Sequence, residues 1–87
     1  MAIAETIKQI LVSHVYVEVP TDRMGEHDSL RDVLGVDSLG FVELRVQVEE
    51  AFDITIADDD FTPEHFATIA SLTSLVERQQ QVAAAGV

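Results

Sequence analysis

The chain has 87 residues, 47% of them hydrophobic, which is enough for one small core and leaves no room for a second domain. Sixteen Asp and Glu against five Lys and Arg give a formal charge of -11, which argues against nucleic acid and anionic membranes as partners and favours basic protein surfaces. There is no Cys, so disulfide scaffolds, thiolate nucleophiles and cysteine-ligated metal sites are all excluded.

The opening segment MAIAETIKQILVSHVYVEV has no basic region leading into an unbroken apolar stretch, and no run approaches membrane-spanning length, so a cytoplasmic protein is expected. Ile3, Ile7, Ile10, Leu11 and Val15 recur at three- and four-residue steps and predict a helix over 2–16. Pro20 disfavours helical geometry at Val19 and should end it. A long connection follows. Within it Leu30, Val33 and Leu34 sit at helical spacing after Asp28 and Ser29, so a short turn should pack all three onto the core before Gly35 stops it.

The next helix, over 38–52, carries two apolar groups. Phe41, Leu44, Val48 and Phe52 form the expected core face, whereas Leu39, Val42 and Val46 fall on a roughly opposite side near Glu43 and Glu50. That second stripe either packs against another helix or forms a mixed apolar and acidic docking surface. Beyond it, "DITI" alternates like a strand, but no second strand is available to pair with it. Thr62, Pro63 and Glu64 signal the start of a brief helix. Thr68 can cap the last one, whose buried stripe is Ile69, Leu72, Leu75 and Val76 and which should fray through Gln79, Gln80 and Gln81, giving an ordered core of 2–80.

Little chemistry is available for catalysis. Ser38 in "GVDSLG" lacks the glycine two residues upstream that a nucleophile elbow needs, since Val36 stands there. His14, His27 and His65 are scattered and read as ordinary, partly exposed side chains. Asp58, Asp59 and Asp60 do not open a calcium loop, because Pro63 and Ile69 occupy the positions that require Gly and Glu; the cluster reads as a solvated helix start, and no metal site is expected. Two serines remain, each in an Asp-Ser-Leu. Both Ser29 and Ser38 could simply cap helices. Ser38 precedes the long helix with the extra stripe, and a phosphodiester there would be favoured by the helix dipole and the free N–H groups.

"GVDSL" followed by "VEL" and "EEAFDITI", with the "DSLRDVLG" lead-in and the acidic turn "DDDFTPEHFATIASL", resembles the acyl carrier proteins of the phosphopantetheine-binding family over nearly the whole chain. The resemblance implies an all-α four-helix bundle with a long loop between the first two helices and a short third helix. It implies that Ser38, flanked by Asp37 and Leu39, carries 4'-phosphopantetheine, installed from coenzyme A by a phosphopantetheinyl transferase in a magnesium-dependent reaction. The chain would then be no enzyme but a monomeric carrier, holding an acyl group as a thioester. Its partners would be that transferase, an acyl-loading enzyme (an adenylating ligase or an acyltransferase), and downstream synthase or modifying enzymes. In the family the second helix docks on these partners, which maps onto Leu39, Val42, Glu43, Val46, Glu49 and Glu50.

Gly40 stands where housekeeping fatty-acid carriers usually have an acid, and Arg45 adds a cation to an acidic helix. Both depart from that housekeeping pattern, and the segment "DDDFTPEHFATIASL" resembles instead the discrete carriers of polyketide or related specialised biosynthesis, so a freestanding carrier of that kind is expected. A peptidyl or aminoacyl carrier, a housekeeping fatty-acid carrier and a non-carrier helical interaction module are the alternatives.

Overall fold

The computed structural model describes residues 3–85 and is built of α1 (Ile3–Ser13), α2 (Ser38–Phe52) and α3 (Ile69–Ala85), joined by irregular segments with two short 3-10 turns, Thr21–Arg23 and Asp58–Asp60. The fold is all-helical, as expected. Ile7, Leu11, Leu44, Val48, Leu72 and Val76, from all three helices, are completely or almost completely buried. Each such side chain contributes about 1.5–3 kcal/mol by leaving water. Among the described residues no helix is long and apolar enough to cross a membrane.

α1 ends at Ser13, short of the expected residue 16. The cause lies in the backbone rather than at Pro20. Tyr16 adopts a left-handed φ of 62°, which turns the chain back so that the Val17 N–H reaches the Leu11 carbonyl at 3.0 Å and Val17 is buried. A tyrosine gives no warning of this conformation, which favours glycine.

The long connection is anchored rather than loose. Met24 and Leu30 plug into the core, and the Leu30 and Ala70 N–H groups donate to the Ala67 and Glu26 carbonyls, both at 2.9 Å, tying the loop to the start of α3. The expected turn after Ser29 is present, and Leu34 is buried, but Val33 is 57% exposed. A single turn offers only one inward side, and Leu30 and Leu34 fill it.

The segment Ile54–Ile56 explains the strand-like pattern of "DITI". Ile54 and Ile56 face inward and Thr55 outward, yet among the described residues no strand forms; the Ile56 N–H and carbonyl are satisfied by side chains of α2 instead. The expected short third helix is reduced to one turn. Thr62 does cap it, accepting from the His65 N–H at 3.3 Å, and the Phe66 N–H reaches the Thr62 carbonyl at 3.1 Å. It cannot continue because Thr68 already caps α3, its Oγ1 accepting from the Ser71 N–H while Ser71 Oγ accepts from the Thr68 N–H. α3 itself runs past the glutamines to Ala85. Gln and Ala are good helix formers, so nothing in the local chemistry stops it earlier.

Candidate functional site

The two Asp-Ser-Leu sequences adopt different roles. At the first, Ser29 Oγ accepts from the Asp32 N–H at 2.9 Å, and the Val33 N–H closes the turn on the Ser29 carbonyl at 3.0 Å. This hydroxyl is a cap. At the second, Gly35 takes a φ of 79° and swings Val36 into the core, which leaves Asp37 extended ahead of α2. Asp37 Oδ1 then accepts from the Gly40 N–H at 2.7 Å. Asp37, rather than Ser38, is therefore the cap, and Ser38 stands exposed at the first helical position, its hydroxyl not used for capping.

Gly40 allows the chain to pack closely here. A Cβ at this position would lie 3.0 Å from Val36 Cγ1, 3.1 Å from Val15 Cγ1 and 3.2 Å from Asp37 Oδ1. No ordinary side chain fits without moving one of them.

Ser38 lines a groove of about 500 Å³ with Phe41 and Val42 on the α2 side and Phe61, Pro63 and Phe66 opposite. Phe61 and Phe66 meet edge to face, their centroids 4.9 Å apart. Arg31 and Asp32 lie at the same groove, next to the turn that Ser29 caps. An exposed serine hydroxyl at a helix start, opening onto an apolar groove, fits a phosphodiester-linked arm with an apolar cargo. Asp37 would orient the attachment turn, and the positive end of the α2 dipole would face the phosphate.

The outer stripe of α2 is open to solvent. Leu39 is 81% exposed, and Val42, Val46, Glu43 and Glu50 are exposed as well. Glu43 bonds along its own helix, accepting from Gln47 Nε2 at 2.8 Å. Glu49, expected in the same set, is placed differently: it is half-buried, and its Oε2 accepts from the Ile56 N–H at 2.7 Å. Its partner in that clamp is Arg45, whose Nη2 donates to the Ile56 carbonyl at 2.6 Å and to Asp58 Oδ1 at 2.9 Å. Arg45 thus leaves the acidic face and turns toward the groove wall, a role that its charge alone did not signal. An Arg and a Glu one helical turn apart, beside a core face, were the available clue.

His65 and two of the three clustered aspartates are engaged in structural contacts. His65 Nε2 lies 3.1 Å from Arg78 Nη2, and Nδ1 lies 2.9 Å from the Asp60 carbonyl. A guanidinium can only donate, so Nε2 accepts and Nδ1 carries the proton. His14 and His27 are exposed. Asp58 pairs with Arg45 and Asp60 accepts from Gln79 Nε2 at 3.2 Å, and among the described residues no His, Cys, Asp and Glu cluster could hold a metal ion.

A family model described as "Phosphopantetheine attachment site" matches residues 5–76. An acyl carrier protein from Zymomonas mobilis is 38% identical over 77 residues, covering 88% of this chain and 94% of the relative. One from Bdellovibrio bacteriovorus is 37% identical over 79 residues, covering 91% and 96%. Among solved structures, a chain in the crystal structure of an engineered Bradyrhizobium japonicum glycine:[carrier protein] ligase complexed with carrier protein from Agrobacterium tumefaciens and ATP superposes with a TM-score of 0.80. It is 28% identical, and the match covers 88% of this chain and 99% of that one. The solution structure of a holo acyl carrier protein from Nitrosomonas europaea has the same fold, with a TM-score of 0.82 at 24% identity over 93% of this chain and 99% of that one.

Proposed function

The chain belongs to the acyl carrier proteins of the phosphopantetheine-attachment family, and on that premise we propose that Ser38 bears the prosthetic group and that the outer face of α2 receives partner enzymes. As an acyl carrier protein it has no catalytic activity of its own and carries a covalently attached 4'-phosphopantetheine. That group supplies a terminal thiol on a flexible arm, able to hold an acyl chain as a thioester.

The observation that carries the assignment to Ser38 is the exchange of roles between the two motifs. Ser29 spends its hydroxyl on a cap, whereas Asp37 takes over capping at α2 and leaves Ser38 exposed and free. Ser38 also opens directly onto the groove, so the arm starts where an apolar chain can be covered. A phosphodiester at the first position of α2 gains from the dipole and the unpaired N–H groups of the first turn.

Leu39, Val42 and Val46 offer apolar contact, and Glu43 and Glu50 meet Arg or Lys on a phosphopantetheinyl transferase, an acyl-loading enzyme and downstream synthase or modifying enzymes. The exposure of this stripe and the formal charge of -11 support that reading. Glu49 drops out of the set because its carboxylate is held by Ile56. The ligase and carrier protein complex among the structural relatives supports an adenylating enzyme as the loading partner. The pathway is polyketide or related specialised biosynthesis rather than housekeeping fatty-acid synthesis. In its favour, Gly40 sits where crowding excludes the usual acid, and Arg45 is recruited to the groove wall.

The test is intact mass before and after incubation with a broad-specificity phosphopantetheinyl transferase, magnesium and coenzyme A. Wild type and Ser29→Ala should each gain one phosphopantetheine, and Ser38→Ala should gain none. A gain that survives Ser38→Ala, or none in folded wild type, would contradict the assignment.

A further inference from the structure

Arg45 lies one turn beyond Phe41 on α2 and does not line the groove, yet it controls the groove's far wall. Its guanidinium reaches the Ile56 carbonyl at 2.6 Å and Asp58 Oδ1 at 2.9 Å, and its centre stands 4.9 Å from the centroid of the Phe61 ring. One turn further along, Glu49 Oε2 takes the Ile56 N–H at 2.7 Å. Both backbone polar groups of Ile56 are therefore gripped by two residues of α2. From this anchor the chain runs through the Asp58–Asp60 turn to Phe61, whose N–H is bonded back to the Ala57 and Asp58 carbonyls at 3.2 Å. Phe61 in turn abuts Phe66 edge to face. The path from α2 to the opposite wall is short and continuous.

An arginine suits this grip best, because its planar guanidinium donates in two directions while stacking on a ring, whereas a lysine is a point charge that loses the stacking. The Asp58 side chain is 94% exposed, so that ion pair is the weak part, and the Ile56 bond and the ring contact do most of the holding.

We infer that Arg45, with Glu49, is a positioning residue that sets how long an acyl group the groove beside Ser38 accepts, by pinning Phe61 at a fixed distance from Phe41 and Val42. The inference rests on the reading that Ser38 carries the acyl-bearing arm. With the pin in place the wall is fixed, which limits the chain length the groove accepts. Without it the 54–61 segment can retreat, and longer chains fit.

To test this, the transferase would load wild type, Arg45→Lys and Arg45→Met from hydrolysis-resistant acetyl, butyryl, hexanoyl, octanoyl and decanoyl analogues of coenzyme A, each transferring its acyl-phosphopantetheine to Ser38 and releasing the adenosine bisphosphate. The readout is the chemical shifts of the Phe61 and Phe66 ring protons as the chain grows. In wild type these should change with each lengthening up to a limit and then stop. In Arg45→Met the limit should move to a longer chain by at least one member of the series, with Arg45→Lys between the two. The same limit in all three proteins would overturn the inference, even if Arg45→Met melted earlier, because a purely structural residue would lower stability without changing the length limit. If Arg45→Met fails to fold, Arg45→Lys and Glu49→Gln carry the comparison.

Amide hydrogen exchange at Ile56 in the unloaded proteins separates the two layers. Exchange several-fold faster in Arg45→Met supports the pin, and unchanged exchange overturns it. Accelerated exchange in a protein that gains no mass at Ser38 would defeat the carrier assignment, and the length selection with it.

Discussion

Gly40→Ala is the substitution in which two well-known tendencies oppose each other most directly. Alanine is the better helix former, by at most about 1 kcal/mol, and Gly40 lies in the first turn of α2. The added Cβ, however, would stand 3.0 Å from Val36 Cγ1, 3.1 Å from Val15 Cγ1 and 3.2 Å from Asp37 Oδ1. None of these neighbours yields easily. Val36 is buried, Val15 is tied to the Ile10 carbonyl just before the left-handed Tyr16, and Asp37 holds the cap. Overpacking of this kind costs about 1–3 kcal/mol. The crowding should win, leaving Gly40→Ala about 1 kcal/mol less stable, or about 4–8 °C lower in Tm for a domain of this size. Urea unfolding would measure it, read as a lower midpoint at unchanged slope. A variant more stable than wild type would refute the reasoning, because it would mean that Val15 or Val36 gives way freely and that the glycine has no packing role.

Tyr16→Gly should raise stability by up to about 1 kcal/mol, since it removes the left-handed strain of a residue 83% exposed and loses little packing; a lower urea midpoint would contradict that account. Glu43→Gln and Glu50→Gln should slow association with the transferase at low salt and leave urea stability unchanged, whereas Glu49→Gln should do the reverse, as stopped-flow binding and denaturation would reveal. The melting temperature should rise with sodium chloride. Sixteen acidic residues repel one another, and among the described residues only Lys8–Glu5 and Arg45–Asp58 form ion pairs that salt could weaken; a falling melting temperature would show that those pairs dominate.

What the sequence disclosed was what periodicity carries. The buried stripes Ile7, Ile10 and Leu11, Leu44 and Val48, and Ile69, Leu72, Leu75 and Val76 are as spaced, and the caps at Thr62 and Thr68 are where their side chains put them. The exposure of Leu39, Val42 and Val46 was only half legible, since their spacing fitted packing against another helix as well as a docking surface. The missed features depend on contacts across the chain or on unfavoured backbone. Tyr16 hid the end of α1 behind a residue that rarely adopts φ of 62°. Arg45 and Glu49 were read as surface charges because nothing local links them to Ile56. Phe61 and Phe66 were left unassigned, since a groove wall shares no periodicity with the helix it faces.

α2 was the least regular amphipathic helix in the sequence, and its geometry gives the reason. Its inner side, Leu44 and Val48, holds the core; one flank, Arg45 and Glu49, holds the segment that returns to form the groove; and its first turn presents Ser38. With the core, the groove wall and the helix start held from those directions, Leu39 and Val46 on the outer side are under no demand from folding. A soluble domain relying only on its own stability would make that side polar. Instead Leu39, Val42 and Val46 remain apolar, exposed and interleaved with Glu43 and Glu50. Local rules broken where folding gains nothing are expected at sites kept for binding. Leu39 directly follows the serine, so a partner seated on that stripe would bring its own active site within reach of whatever Ser38 carries.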